Sequence, residues 1–215
     1  MYEELVFQKL WLVLPLWLIL YIADYTLTII GARYYKSGAQ EHFLFEGSYE
    51  LSPEFQNDID ALRTFSPTFI KAIMTSSLLI VFLWYFSFTN FLALFFFKFL
   101  VGGIIIREFV PLFMHVHNIT LFHFAYKNQG VSGQVQYKQW LSYRMASLKM
   151  ITYSFFFLFV YFLSGSISFL GGAVLTASTG LKFSRLSMTH KEKDSQLINT
   201  IESEVVQEGS AEKPL

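Results

Sequence analysis

Residues 10–32 read LWLVLPLWLILYIADYTLTIIGA, an apolar run long enough to cross a bilayer yet carrying one acid, Asp24, near its middle. A spanning helix takes about 20 apolar residues at 1.5 Å each, and an acid near its centre costs roughly 2.5–3.5 kcal/mol on insertion scales. The surrounding Leu, Ile, Val and Trp offset that cost at about a few tenths of a kcal/mol each. The helix therefore inserts, with Asp24 turned toward protein or water and away from lipid. Helical spacing puts Tyr21, Asp24, Thr28, Gly31 and Tyr35 on one stripe, which is the expected inward face.

Composition agrees with this reading. Of the 215 residues, 53% are hydrophobic, 19% aromatic and only 15% charged, too apolar for a soluble domain of this size. Phenylalanines in runs, Phe95-Phe96-Phe97 and Phe155-Phe156-Phe157, belong in lipid. The formal net charge is zero, so no global basic field points to nucleic acid. Cysteine is absent, which removes disulfides, thiolate metal sites and cysteine nucleophiles. The N-terminus, MYEELVFQK, is acidic where a signal peptide is basic, so the first span is read as retained.

Four long apolar stretches follow one another, with spans expected at about 10–32, 68–88, 91–112 and 150–174. Between the first two lie 34 acidic, mixed residues, Arg33 to Ser66. In them Ser52-Pro53-Glu54 is a helix-start signal, predicting a short helix from Pro53 to Leu62 with Phe55, Ile59 and Leu62 on the headgroups. Ser66-Pro67 repeats the signal and opens the second span. A turn at Ser87 to Asn90 leads into a stretch of 36 residues, Phe91 to Tyr126, too long for the bilayer core and expected to kink at Pro111. Lys127 to Leu148 reads as a basic polar link. Met150 to Leu181 is either one glycine-rich span or a hairpin turning near Gly165-Ser166. From Lys182 onward the chain is polar and charge-mixed, and residues 182–215 are expected to be a disordered tail beyond a membrane domain of residues 1–181. The predicted fold is thus an all-α integral membrane protein, a four-helix transmembrane bundle with a short interfacial helix in its first loop.

Orientation follows from the basic residues of each side. With four crossings, Arg33, Lys36, Arg63, Lys71, Lys127, Lys138, Arg144 and Lys149 stand on the loop side, eight against the five of the termini. With the hairpin the ratio becomes twelve against one. Either way the two large loops are placed inside, in what reads as a bacterial or archaeal plasma membrane.

Candidate chemistry gathers at that face. Glu41, His42, Glu46 and Glu50 lie in the first loop, and His115, His117 and His123 near the end of the third stretch. Carboxylates and imidazoles together are the donors of a divalent metal site, although no HExxH or paired ExxH is present. The ordinary alternative is that they are interfacial side chains at a helix end. Arg107 and Glu108 are a second anomaly inside the membrane, with Arg107 expected to pair with Asp24. Trp11, Trp17, Trp84, Tyr34, Tyr35, Tyr85 and Trp140 read as belt residues at span ends.

Asp24-Tyr25-Thr26-Leu27-Thr28, Gly38-Ala39-Gln40-Glu41 and Glu50-Leu51-Ser52-Pro53 resemble the D-x-x-x-T … G-A-x-E … E-x-N-P pattern of small bacterial and archaeal membrane proteins classed as domains of unknown function, with Ser52 where the pattern has Asn. The resemblance covers about 30 residues and implies a few packed spans with no activity attached.

Two functional classes are expected from these residues. The first is a non-catalytic accessory or scaffold protein that uses Asp24, Thr28 and the Glu41–Glu50 segment to bind a partner membrane protein, a lipid or an ion. The second is a membrane-embedded metal-dependent enzyme, or a small transporter working as a homodimer, and it requires Asp24, Arg107, the histidines and the loop acids to converge on one cavity.

Overall fold

The computed structural model describes residues 7, 9–48, 50–127 and 131–211. It is helical apart from one small ribbon, and three of its helices are long and apolar enough to cross a membrane. The first, α1 (Leu10–Lys36), carries Pro15 inside it without breaking, and Arg33 and Lys36 in its last turn complement the negative helix end. A 3-10 turn (Ala39–Glu41) and β1 (Phe43–Phe45) follow, then the short helix α2 (Gln56–Asp60). This helix is shorter than the expected Pro53–Leu62, and its apolar side chains, expected on the headgroups, pack inward. Ile59 is buried among Tyr25, Ile29, Ala32 and Phe69, so its apolar face seals the protein interior.

The second long helix, α3 (Pro67–Phe86), starts as its sequence signals, with Pro67 in the first turn and the Ser66 hydroxyl accepting from Phe69 N at 3.1 Å. Only 11% of its most apolar window is buried inside the protein, so most of its surface suits lipid. Asn90 caps α4 (Phe91–Phe97), accepting from Ala93 N at 2.8 Å. A π-helical turn (Lys98–Gly102) then leads into α5 (Gly103–Lys127), so the third stretch is one helical run carrying its irregularity at the π turn, ahead of Pro111. After β2 (Val135–Tyr137) comes the third membrane-length helix, α6 (Gln139–Ser164), and finally α7 (Ile167–Ala211).

The fourth apolar stretch is therefore a helical hairpin and not a single span. Gly165 ends α6 at φ 66°, ψ 8°, donating its N–H to the Tyr161 carbonyl, and the left-handed conformation that glycine adopts freely turns the chain back. The polar link is also shorter than expected, because α6 begins inside it. Its first N–H, at Gln139, is bound by Glu46 Oε2 at 3.3 Å, a carboxylate on the positive end of a helix supplied from the first loop. Residues 182–211, expected as disordered, continue α7. Phe183 packs in the cluster around Tyr143, the Ser187 hydroxyl donates to the Trp140 carbonyl at 2.8 Å, and His190 stacks on Tyr143. Residues 212–215 of the expected tail lie outside the described residues.

β1 and β2 pair in parallel, Phe43 opposite Val135 and Phe45 opposite Tyr137. That pairing places the loop after α1 and the link after α5 on one side of the bundle, as the sequence predicts. Two close approaches lock the bundle. A Cβ on Gly171 of α7 would stand 1.8 Å from the Phe99 carbonyl oxygen, so α7 lies directly on the backbone of the π turn, and a Cβ on Gly103 would meet Gly171 carbon at 2.6 Å. Small residues permitting backbone contact are the usual basis of helix association in lipid, where apolar burial gives little drive. A second departure concerns the aromatic belt. Trp11 is 67% exposed as a belt residue would be, but Trp17 is 2% exposed and packs in the interior with Val13, Leu20, Ile80 and Val101.

Candidate functional site: a polar cavity inside the bundle

One cavity of about 480 Å³ runs between α1, α3, α5 and α7, with the segment Glu50–Phe55 across its end. Its volume lies within the range of ligand pockets, about 300–1,000 Å³. The inward stripe of α1 supplies Tyr21, Asp24 and Thr28, as the spacing predicts, together with Trp17 and Tyr25. From α5 come Arg107, Glu108 and His115. Asp24, Thr28, Arg107 and Glu108, expected together inside the membrane, thus line one cavity.

Asp24 is paired, but with His115 and not with Arg107. His115 Nε2 lies 3.3 Å from Asp24 Oδ1 and 3.0 Å from Thr28 Oγ1. The Thr28 hydroxyl has one proton and donates it to the Asp24 carbonyl at 2.9 Å, so toward His115 it accepts. Nε2 therefore carries a proton, donated to the Thr28 oxygen, an assignment made from the bonding network; Asp24 Oδ1 faces it at ion-pair distance and is itself buried without a hydrogen bond. Nδ1 of the same ring is buried without a hydrogen bond.

Arg107 and Glu108 are adjacent on α5, about 100° apart around the helix, and do not form an ion pair with each other. Arg107 Nε is buried with no hydrogen-bond partner. Glu108 is 3% exposed, and among the described residues no hydrogen bond or ion pair holds its carboxylate. Pro111, one turn further on and also lining the cavity, has no N–H to give the Arg107 carbonyl its helical bond.

The loop closes the cavity through Glu50 and Glu54. Glu50 Oε1 accepts from Ser52 N at 2.6 Å, and the Gln56 side chain donates to the Glu50 carbonyl at 3.0 Å. Burial pushes the Glu50 carboxyl above its ordinary value, against the lowering effect of the Ser52 N–H. Glu54 reaches Lys182 of α7 at 4.0 Å, both side chains more than half exposed. Behind this segment Asp58 accepts from the Ser66 hydroxyl and pairs with Arg63 at 3.0 Å. The Ser66 hydrogen bond is the first cause holding the Asp58 carboxyl below its ordinary value.

Aromatic rings of α1 and α3 line the cavity as well. Trp17 stacks on Tyr21, Tyr21 on Phe69 of α3, and Phe69 on Tyr25 with ring centres 4.1 Å apart. Tyr25 also donates its hydroxyl to the Arg63 carbonyl at 2.7 Å, fastening α1 to the loop. On α3, Leu79 lines the cavity yet remains 49% exposed, so the cavity edge meets the lipid-facing surface.

Of the seven candidate metal ligands, only Glu50 and His115 reach this cavity. Glu41 is exposed, with its carbonyl accepting from Gln134. His42 Nδ1 is 3.0 Å from the Gly133 carbonyl, and Glu46 binds Lys138 and the start of α6. His117 is exposed, and His123 packs edge-on against Tyr34. Among the described residues no three His, Asp or Glu side chains are grouped to hold a metal ion. On an unbroken α5, His117 points away from His115 by about 200°, which is why neighbours in sequence do not meet. Sequence reasoning did not single out Tyr25, Phe69 or Lys182 for the site. Lys182 directly follows Leu181 at the end of the apolar run of α7, and Phe69 sits three residues past a helix cap, positions that reveal a partner only once the helices are packed.

Compared with known proteins, the chain matches no family model, no curated protein and no solved structure.

Proposed function

We propose that this is an integral membrane protein that binds a small amphipathic molecule in the cavity between α1, α3, α5 and α7, without catalysing a reaction on it. The observation that carries this reading is the composition of one cavity: Asp24, Arg107, Glu108 and His115 line it together with Trp17, Tyr21, Tyr25 and Phe69. Ionisable residues kept within a membrane helix mark a ligand or ion path by default, because their insertion is costly. A pocket with a mainly apolar lining and a few convergent polar groups is the ordinary form of a small-molecule site.

The crossings in this reading are α1, α3, the helical run 91–127, α6 and the apolar first half of α7. This replaces the expected four-helix bundle, because the Gly165 turn makes two arms of the last stretch. The α7 arm, about 15 residues to Leu181, is short for a lipid-exposed span, and its contact with the π turn lets it lie against protein instead. Twelve basic residues then lie on the loop side and Lys9 alone on the other, which orients the loops and the cavity mouth toward the cytoplasm.

Convergence of the polar groups on one cavity also favours a second reading, a carrier in which the bound molecule leaves on the far side. The metal-dependent form of the enzyme reading loses its ligand set, since the loop acids and histidines do not gather.

The test is thermal unfolding of the detergent-purified protein against a panel of amphipathic cations, anions and neutral lipids. A ligand at 100 times its Kd stabilises by about 2.7 kcal/mol. A compound that stabilises the wild type but not Tyr21→Ala supports the reading, and a panel with no stabilising member overturns it.

A further inference from the structure

We propose that the molecule taken by this cavity is an amphipathic organic cation, its charged head against Glu108 and its apolar body along Trp17, Tyr21, Tyr25 and Phe69. The inference rests on the ligand-binding reading above and names its ligand class. It comes from a count of which charges in the cavity already have partners.

Four carboxylates line the space, those of Asp24, Glu50, Glu54 and Glu108, against Arg107, Lys182 and His115. Asp24 is matched by His115 at 3.3 Å, and Glu54 by Lys182 at 4.0 Å. What remains is Glu50 and Glu108 against Arg107, an excess of one acid. Glu50 is already bound by the Ser52 N–H. Glu108 is the member left without a hydrogen bond or ion pair among the described residues, and it lines the cavity at 3% exposure. A largely buried carboxylate with no protein partner is best stabilised by an opposite charge brought into the cavity beside it.

The surroundings of Glu108 define the rest of the ligand. The stacked aromatic ladder of α1 and α3 offers an apolar strip several rings long, matched to a hydrophobic body. Leu79, on the cavity and half exposed on the lipid side, gives a molecule dissolved in the bilayer a lateral way in. A compact inorganic cation would leave that strip uncovered, and an anion would meet the excess of carboxylates.

The probes are tetraphenylphosphonium and tetraphenylborate, two ions of matching shape and opposite charge. Equilibrium dialysis against the detergent-purified full chain, with empty micelles subtracted, is expected to show saturable one-to-one binding of the phosphonium and none of the borate. Glu108→Gln is expected to weaken phosphonium binding at least about tenfold, as loss of a buried charge partner does. Protection of a Thr179→Cys chain, Glu108 intact, from maleimide labelling by the phosphonium gives a second readout should Glu108→Gln fail to fold. Borate binding as tight as phosphonium binding, or phosphonium binding unchanged in Glu108→Gln, overturns the assignment of a cation. If neither ion binds while other amphiphiles stabilise the protein, the cavity stands as a ligand site and the cation inference falls. If nothing binds, both readings fall together.

Discussion

His115 Nε2 stands 3.3 Å from Asp24 Oδ1 and 3.0 Å from Thr28 Oγ1, so one imidazole of α5 meets the acid and the hydroxyl of the same α1 stripe. The pair addresses the problem posed by an acid near the middle of an apolar helix: Asp24 is turned to an imidazole of a neighbouring helix at ion-pair distance. It also fixes the rotation of α1 against α5, and with it the walls of the cavity.

Removing one partner of this pair is predicted to cost more than removing both. His115→Ala leaves a partly buried Asp24 facing no donor and is expected to lower stability by about 1–3 kcal/mol, less than for a fully buried pair because Asp24 keeps 22% of its side-chain surface. The double variant His115→Ala, Asp24→Ala should recover part of that loss. Unfolding in detergent, read as a double-mutant cycle, measures it, and strictly additive effects would show that the two residues do not interact.

Glycines 171 and 165 are predicted to fail differently. A Cβ at Gly171 meets backbone, the Phe99 oxygen at 1.8 Å, so Gly171→Ala must push α7 off the π turn at a cost of about 3 kcal/mol or more. Gly165 has open space around its Cβ position and only its φ of +66° to strain, so Gly165→Ala should cost about 1 kcal/mol. Recovery of monodisperse protein on gel filtration separates the two, and equal behaviour would contradict the packing described.

The two loop carboxylates should give opposite pH dependences. Asp58 is held below its ordinary value in the folded chain, so its stabilising contribution is present above that ordinary value and is lost as pH falls through the depressed one. Glu50 is held above its ordinary value, so the folded chain favours its protonated form; that contribution is complete below the ordinary value and lost as pH rises through the raised one. Melting curves should therefore show Asp58→Asn flattening the acid limb of the stability profile. Glu50→Gln should flatten the decline on the other side, toward neutral pH. A Glu50→Gln profile parallel to wild type would contradict the burial of that carboxyl.

Lys182 and Glu54 bridge the mouth at 4.0 Å with more than half of each side chain exposed, a contact expected to contribute no more than about 0.5 kcal/mol. Lys182→Glu should leave the melting temperature nearly unchanged while raising the rate at which a water-soluble reagent reaches the cavity. A large loss of stability would mean that the bridge holds the fold together and does not merely close a mouth.

Much of this architecture is legible in the chain, for identifiable reasons. The α1 stripe, the Ser66-Pro67 start, the Asn90 turn and the shared side of the two large loops all follow from local signals, and the structure has each of them. What the sequence does not determine is where a helix begins or ends when the deciding partner is remote. Gln139 starts α6 because Glu46, far away in sequence, binds its N–H, and no local signal marks that. Arg107 and His115 are equally plausible partners for Asp24 by type; the choice depends on the rotation of α5, which the π turn at Lys98–Gly102 alters and an even helical count cannot show. The apolar stretch ending at Leu181 reads as one span of suitable length, and a single left-handed glycine turns it into two arms.

The central claim is that the polar groups of α1 and α5 line a water-reachable cavity inside the bundle, distinct from its apolar outer surface. The natural chain has no cysteine, so single-cysteine variants report one position at a time. Thr179 and Ser76 line the cavity on α7 and α3, whereas Phe156 and Leu78 are exposed on the apolar outer surface. In lipid vesicles a membrane-impermeant maleimide should label Thr179→Cys and Ser76→Cys from the loop side and leave Phe156→Cys and Leu78→Cys unreacted. Labelling of none of the four, or of the lipid-facing pair as readily as the cavity pair, would contradict the account.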